Sequence, residues 1–205
     1  MNISYSTGNI FPVPIHVFDI KDFKLYQKDL IDYAYTLKSK DADTPNRSNV
    51  GGWQSSTFHL NDKSDKLHSL LMDCITSLPS LKENINVYSK AWVNINNPGS
   101  LNLQHSHPGC DLSGVLWIKC PNECGNILFY SPSCFETFQE IESYTQEFKD
   151  NNNYHHNYWF PPIEGRILIF PSHLQHEVKK NLSNEDRISA SFNIKLENKK
   201  IVWLE

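Results

Sequence analysis

The spacing of the apolar residues changes near Pro79, and this change limits the folds that the sequence can adopt. Before it, Phe23 to Lys38 and Asp62 to Leu78 carry apolar residues at helical spacing. After it come about eight short segments with strand character, each bounded by Gly, Pro, Asn or Ser. The predicted strands are 87–95, 101–107, 112–119, 126–130, 154–160, 166–170, 176–179 and 187–195. The pattern predicts an all-β core, a sandwich or jelly roll, with supporting α-helices at the N-terminus.

The length of 205 residues suits one domain with a single core. We therefore predict a single domain over 1–205, with a helical support region over 1–80 and a jelly-roll core over 85–205. The segment from Pro132 to Asn153 is long and polar, which is typical of a loop that acts as a lid over a site.

Charge and hydropathy exclude some classes of protein. A net charge of −4 argues against a sequence-independent nucleic-acid binder, because phosphate contacts need a basic face. Apolar runs such as Ile167 to Phe170 are too short to span a bilayer, and Met1 to Ile10 lacks the features of a signal peptide. We expect a cytoplasmic protein that acts on a small-molecule or peptide substrate, without a membrane or nucleic-acid partner. The sequence leaves open whether the protein forms a homodimer.

The chain has five cysteines, an odd count that favours free thiols in a reducing compartment. Cys120 and Cys124 form a loose CxxxC without a second tight pair. A structural zinc site is therefore the less favoured reading of the four cysteines between 110 and 134.

Two histidines stand at strand spacing before Pro108. Residues two apart on a strand project to the same face, so His105 and His107 can hold one metal ion inside a barrel. The pattern is weak by itself, because two histidines can also simply flank a turn.

A second group of polar residues follows the apolar strand 166–170. We predict that His176 and Arg187 lie on adjacent antiparallel strands and face one cavity, with Ser189 on the same face as Arg187. A buried Arg needs an anion, and its planar guanidinium matches a carboxylate. The alternative is an ordinary ion pair of Arg187 with Glu177 or Asp186.

Taken together, these motifs resemble those of the 2-oxoglutarate/iron(II) oxygenase superfamily. More narrowly, the chain resembles an uncharacterised subfamily from marine bacteria and their viruses. The segments that carry this resemblance are Gly52-Trp53-Gln54-Ser55, His105-Ser106-His107-Pro108 with Ser113-Gly114, and Arg187-Ile188-Ser189-Ala190-Ser191-Phe192-Asn193.

The resemblance implies a double-stranded β-helix that uses iron(II) and 2-oxoglutarate. Such enzymes hydroxylate a C–H bond and release succinate and carbon dioxide. By position, His105 and His176 would be metal ligands, and Arg187 with Ser189 would bind the distal carboxylate of 2-oxoglutarate. Asn102, on a strand that would line the cavity, is a further candidate contact of the co-substrate.

One position departs from the superfamily pattern, which has Asp or Glu two residues after the first His. Here that position is His107, and three neutral imidazoles leave the site one charge more positive than the usual ligands. Three interpretations remain. His107 is the third ligand, Asp111 takes that place, or water or substrate fills it and His107 stands nearby.

Two other functions compete with the oxygenase. A three-histidine, cupin-type metal dioxygenase needs no 2-oxoglutarate and hence no buried Arg-Ser pair. A non-enzymatic jelly-roll binding protein would hold a metal only incidentally. The substrate itself stays open among prolyl side chains, free amino acids and modified nucleobases.

Overall fold

A computed structural model describes residues 3–9, 11–41, 48–61, 65–82, 85–133 and 140–198. Within these ranges the chain forms twelve strands, three α-helices and a 3-10 turn at Glu140–Ser143. The helices are α1 Lys24–Lys40, α2 Lys66–Thr76 and α3 Gln146–Asn152. The strands are β1 His16–Asp19, β2 Asn49–Val50, β3 Trp53–Gln54, β4 Phe58–His59, β5 Ile85–Asn96, β6 Leu101–His105, β7 Leu112–Lys119, β8 Ile127–Tyr130, β9 Asn157–Phe160, β10 Arg166–Pro171, β11 His176–Val178 and β12 Arg187–Asn198.

The strands form two antiparallel sheets. The larger sheet has the order β1-β10-β7-β12-β5-β3, with β4 also paired to β5, and the smaller has the order β2-β6-β11-β8-β9. Along the chain, β5 to β12 pass between the two sheets, as the strands of a double-stranded β-helix do. The predicted fold class, an all-β jelly-roll core with N-terminal supporting helices, is confirmed.

Side-chain alternation along the larger sheet separates a packed face from a polar one. On β12, Ile188, Ala190, Phe192 and Ile194 are fully buried in a core that also contains residues of α1 and α2. The residues between them, from Arg187 to Asn193, line a cavity between the two sheets. Because successive strand residues point to opposite faces, one strand serves both the core and the cavity.

The apolar run of β10 is buried on both faces. Ile167 and Ile169 pack in the core beneath the helices, whereas Leu168 and Phe170 pack in a second cluster between the sheets. A strand covered on both sides reads as a continuous apolar segment, and this explains why the sequence lacks alternation here.

Both predicted helices are present within the described residues. At the start of α2 the carboxylate of Asp65 accepts the backbone N–H groups of Leu67 and His68. A cap of this type stabilises a helix by about 1 kcal/mol. In the described part of the chain, no helix combines the length and apolarity needed to cross a membrane.

The first eighty residues contribute strands as well as helices. β1 pairs with β10, β2 with β6, and β3 and β4 with β5. Strands of two residues, such as β2 to β4, are too short to show a period, so the sequence pattern could not reveal them. The predicted loop 132–153 likewise contains the 3-10 turn and α3, while residues 134–139 lie outside the described ranges.

His176 and Arg187 do not lie on adjacent strands as predicted. β11 belongs to the smaller sheet and β12 to the larger one, so the two side chains border the same cavity from opposite sheets. The connection crosses between the sheets and is held at Asn181, whose side-chain amide donates to the carbonyls of Asn96 (2.9 Å) and Glu185 (2.8 Å). The short connection from β11 to β12 suggests a hairpin of two paired strands, but here it joins strands of two different sheets.

Candidate metal centre and co-substrate pocket

Three histidines meet at one end of the cavity. His105 ends β6, His107 follows it, and His176 begins β11 directly opposite His105 in the strand register. One ligand nitrogen from each ring lies within 4.8 Å of the others, and the Nε2 atoms of His107 and His176 are 3.3 Å apart. Two imidazoles bound at about 2.1 Å and at right angles would place their nitrogens roughly 3 Å apart. The spacing therefore fits a shared metal ion.

Backbone hydrogen bonds orient two of the rings. Nδ1 of His105 lies 2.6 Å from the carbonyl oxygen of Leu103, and Nδ1 of His176 lies 2.9 Å from that of Leu174. When Nδ1–H donates to these carbonyls, Nε2 is left with a free lone pair. Histidines that bind metals commonly donate their other ring N–H in this way.

Burial keeps these two rings neutral. Desolvation, followed by the nearby His105, lowers the pKa of His176 to about 4. Desolvation also lowers the pKa of His105, against the opposite effect of the bond to Leu103. Since only the neutral imidazole offers a lone pair, both side chains are suited to bind a metal at neutral pH.

Asp111, the alternative third ligand, is directed elsewhere. Its carboxylate accepts the backbone N–H of Leu196 at 2.7 Å and lies 3.7 Å from the ammonium group of Lys195. Among the described residues, the metal-binding cluster contains three imidazoles and no carboxylate. This all-nitrogen set suits iron(II) as well as other first-row metals.

The cavity beside the histidines has a volume of about 380 Å³ and a polar wall. Its lining from the larger sheet includes Asn94, Asn96, Arg187, Ser189 and Ser191. Asn102, from the smaller sheet, also lines it, and its side-chain oxygen lies 3.5 Å from Nδ2 of Asn96.

Arg187 is the most deeply buried charged group of this wall, with 1% of its surface exposed. Its Nη1 donates to the carbonyls of Cys124, Gly125 (3.4 Å) and Lys179 (3.1 Å). Its Nη2 is buried without a hydrogen-bond partner among the described residues. An unpaired donor on a buried cation is costly, so the site fits an anionic ligand that completes it.

Glu177 and Asp186, the two acids that the sequence offers as ion-pair partners of Arg187, bind other side chains. Glu177 accepts the hydroxyl of Tyr130 at 3.0 Å and pairs with Lys179. Asp186 accepts the hydroxyl of Tyr35 at 2.8 Å.

Asn94, which also lines the cavity, has a second buried polar atom without a partner in the described part of the chain. Its Nδ2 donates to the hydroxyl of Ser191 at 3.0 Å, whereas its Oδ1 is buried without a partner among the described residues. Asn94 stands opposite Ser189 in the register of β5 and β12. Asn96, Ser191 and Asn193 also line the cavity, although none of them was assigned a place in the site from the sequence alone. Counting every second residue from Asn94 and from Ser189 would have found them.

Two cysteines, Cys120 and Cys124, lie near Arg187. The thiol of Cys124 hydrogen-bonds that of Cys120, which raises the pKa of Cys120 and lowers that of Cys124; the guanidinium of Arg187 lowers the latter further. The described cysteines, 74, 110, 120 and 124, are free thiols, and none joins the metal-binding cluster. Cys134 lies outside the described residues.

Two facing sheets with three convergent imidazoles at one end of their cavity define a metal-binding jelly-roll protein. The model of a protein family described as "Putative 2OG-Fe(II) oxygenase" matches residues 90–193, just over half of the chain. The chain belongs to this family of 2-oxoglutarate- and iron(II)-dependent oxygenases. It is thus an oxidoreductase that uses iron(II) and 2-oxoglutarate. No curated protein matches the sequence.

Solved structures of the same architecture include several oxygenases. A prolyl-4-hydroxylase from Pseudomonas putida superposes with a TM-score of 0.63 at 12% identity, covering 88% of this chain and 91% of that one. A prolyl hydroxylase from Trichoplax adhaerens, in complex with a hypoxia-inducible-factor peptide, gives 0.59 at 15%, with 88% and 83% covered. HygX from Streptomyces hygroscopicus, with nickel and 2-oxoglutarate bound, gives 0.53 at 10%, with 89% and 82% covered. At these identities the likeness concerns the fold alone.

Proposed function

We propose that this protein hydroxylates a C–H bond of a small-molecule or peptide substrate, with release of succinate and carbon dioxide from 2-oxoglutarate. The observation that carries the proposal is the buried Nη2 of Arg187, which has no hydrogen-bond partner among the described residues and belongs to a side chain that lines the same cavity as the three histidines. A dicarboxylate can bind with one end at the metal and the other at this guanidinium.

Each side chain has a distinct part in this proposal. His105, His107 and His176 hold the iron, and His107 takes the place of the carboxylate common in the superfamily. Arg187 binds the distal carboxylate of 2-oxoglutarate in a charged hydrogen-bonded pair, with Ser189 and Asn102 as further contacts. When bound, iron and 2-oxoglutarate supply the oxidising chemistry, for which dioxygen is the oxidant.

Apolar side chains of the cavity wall keep water away from the metal site. Trp117 and Phe170 line the cavity and are almost fully buried, so they limit the entry of water near the metal. A cavity with few water molecules also strengthens the attraction between Arg187 and a carboxylate.

The cupin-type and binding-module alternatives are less well supported. Neither requires a buried cation with an unpaired donor beside the same cavity as the histidines, and leaving that donor unpaired destabilises the fold. The narrower likeness to a subfamily of marine bacteria and their viruses, the cytoplasmic location and the single domain over 1–205 remain part of the proposal.

Anaerobic titration of iron-loaded protein with 2-oxoglutarate tests the function without knowledge of the substrate. We expect a saturable metal-to-ligand charge-transfer band in the wild type and none in His176→Ala. His173→Ala is the matched control, because this exposed histidine lies only three residues away. A wild-type protein that binds iron and gives no such band would instead support the cupin-type reading.

A further inference from the structure

A second cavity of about 580 Å³ adjoins the metal centre. We call it the outer cleft; the lining residues that matter here are His59, Tyr88, Lys90, Cys110, Asn193 and Lys195. It shares Trp92 and Asn193 with the inner cavity, and the ring of Trp92 lies 5.8 Å from that of His107. The two spaces are therefore neighbours that meet at Trp92.

The register of β5 and β12 explains this position. Trp92 pairs with Ser191, Lys90 with Asn193, and Tyr88 with Lys195. These pairs follow one another at two-residue steps on one face of the sheet. Each step measures roughly 6.6 Å along the strands. The outer cleft thus continues, along β12, the row of polar residues that begins with Arg187 and Ser189 in the inner cavity.

The outer cleft is cationic although the protein carries a net charge of −4. Its lining includes Lys90 and Lys195, and none of its described lining residues is Asp or Glu. The carboxylate of Asp111, outside the lining, lies 3.7 Å from the ammonium group of Lys195. Lys90 forms no ion pair with a described residue.

Both lysines affect the pKa of the Cys110 thiol. Burial and then Asp111 raise the pKa of Cys110, and Lys195 and Lys90 act against this shift. Cys110, Lys90 and Lys195 all line the outer cleft. Asn193 adds a hydrogen-bonding group, since its Oδ1 accepts the hydroxyl of Ser113 at 2.8 Å and its Nδ2 remains to donate.

We infer that the outer cleft binds an anionic group, a carboxylate or a phosphate, of the molecule that the metal centre oxidises. The substrate is then an acidic small molecule or an acidic peptide. Lys90, Lys195 and Asn193 hold its charged end, while the carbon to be oxidised passes Trp92 and reaches the histidines. The inference rests on the proposed function for the oxidation step, but the anion site stands on the cleft itself.

Cys110 provides a reporter for the charge of the cleft. Iodoacetate and iodoacetamide alkylate thiols by the same displacement of iodide and differ in charge, so the ratio of their rates is independent of the pKa of the thiol. We expect this ratio to be several-fold higher at Cys110 than at Cys74, the internal reference, as followed by peptide mass spectrometry. It should fall several-fold in Lys90→Gln and Lys195→Gln, and also with added salt.

Lys28→Gln, which removes an exposed lysine of α1, is the matched control and should leave the ratio unchanged. Equal ratios at Cys110 and Cys74, unaffected by Lys90→Gln and Lys195→Gln, would overturn the inference.

Protection of Cys110 from iodoacetamide identifies the anion. Protection by inorganic phosphate alone assigns a phosphorylated substrate, and protection by acetate assigns a carboxylated one. Protection no greater than that given by neutral acetamide contradicts the inference. Binding of 2-oxoglutarate to the wild type is a separate measurement. If the wild type does not bind 2-oxoglutarate but Cys110 still shows the expected alkylation ratios, the proposed function is refuted and the anion site is retained.

Discussion

His176 lies directly opposite His105 on neighbouring antiparallel strands, and the centroids of the two rings are 4.4 Å apart. Each ring holds Nδ1 against the carbonyl oxygen of the residue two positions earlier. The same local bond, repeated on two strands, therefore prepares two neutral imidazoles to bind one ion. His107, two residues after His105, completes the group.

The first prediction concerns these ligands. His105→Ala and His176→Ala should reduce bound iron from about one ion per chain to nearly none, because each removes one of three protein ligands. Metal analysis after gel filtration measures this, with His173→Ala as the control that keeps its iron.

His107 allows a sharper comparison. If it is the third ligand, His107→Ala should weaken iron binding more than about tenfold, the scale on which metal sites respond to lost support. His107→Asp should restore binding, because it recreates the carboxylate usual in the superfamily. Undiminished iron in His107→Ala would show that water or substrate fills this place.

The second prediction concerns the co-substrate. Charged hydrogen bonds contribute roughly 1.5–3 kcal/mol each, so Arg187→Ala should weaken 2-oxoglutarate binding by about tenfold to more than a hundredfold. Arg187→Lys should rescue only part, because a point charge cannot form the planar pair. The charge-transfer band measures the affinity.

Two controls accompany the Arg187 variants. Iron content should barely change, since Arg187 does not belong to the metal-binding cluster. Arg166→Ala should retain full affinity, because Arg166 pairs with Asp19 at the sheet edge (2.8 and 2.9 Å). If Arg187→Ala binds 2-oxoglutarate as tightly as the wild type, this residue has no part in holding the co-substrate.

The third prediction concerns the stability of metal-free protein. The folded-state pKa of His176, about 4, lies below its usual value of 6.5. The unfolded chain therefore binds a proton that the folded chain does not, and stability falls as the pH drops from about 6.5 toward 4. From this group alone the loss reaches about 2–3 kcal/mol.

Urea unfolding in the presence of a chelator, across this pH range, measures the effect. His176→Leu should show a shallower dependence of the unfolding free energy on pH, since the titrating group is gone. An unchanged slope in this variant would mean that other groups cause the loss.

The fourth prediction concerns Gly114 on β7. A Cβ atom at this position would lie 2.3 Å from Cζ of Phe192 and 2.7 Å from the carbonyl oxygen of Leu168. Gly114→Ala should therefore destabilise the fold by about 1–3 kcal/mol, the usual cost of overpacking a core. Gly8→Ala is the control, because no atom would lie within 4 Å of its Cβ. Equal midpoints for both variants in thermal unfolding would contradict this packing argument.

The fold could be predicted where a segment is long enough to show its period. β7 has the bounds that the sequence predicted, Leu112–Lys119, and α1 differs from the prediction by only one to two residues at its ends. The short strands β2 to β4 were missed, because two residues carry no period.

For the candidate site, too, the sequence predicted some features, and others became clear only from the tertiary structure. The spacing of Arg187 and Ser189 predicted that both side chains lie on the cavity face of β12. His107 lies two residues beyond the end of β6, so the period of that strand does not explain how its ring joins those of His105 and His176. Only the tertiary structure decided that His176 and Arg187 border one cavity from different sheets, that Asp111 accepts the backbone N–H of Leu196, and that Nη1 of Arg187 donates to the carbonyl of Cys124.

The sequence by itself thus determined which residues share a face, because the two-residue repeat of a strand is a local property of the backbone. The placement of Lys90 and Lys195 in one cleft, and of three histidines in one cluster, depends on strand pairing between residues as much as about one hundred positions apart. Such pairing is set by the burial of whole sheets against the helices and against each other, and no local pattern encodes it.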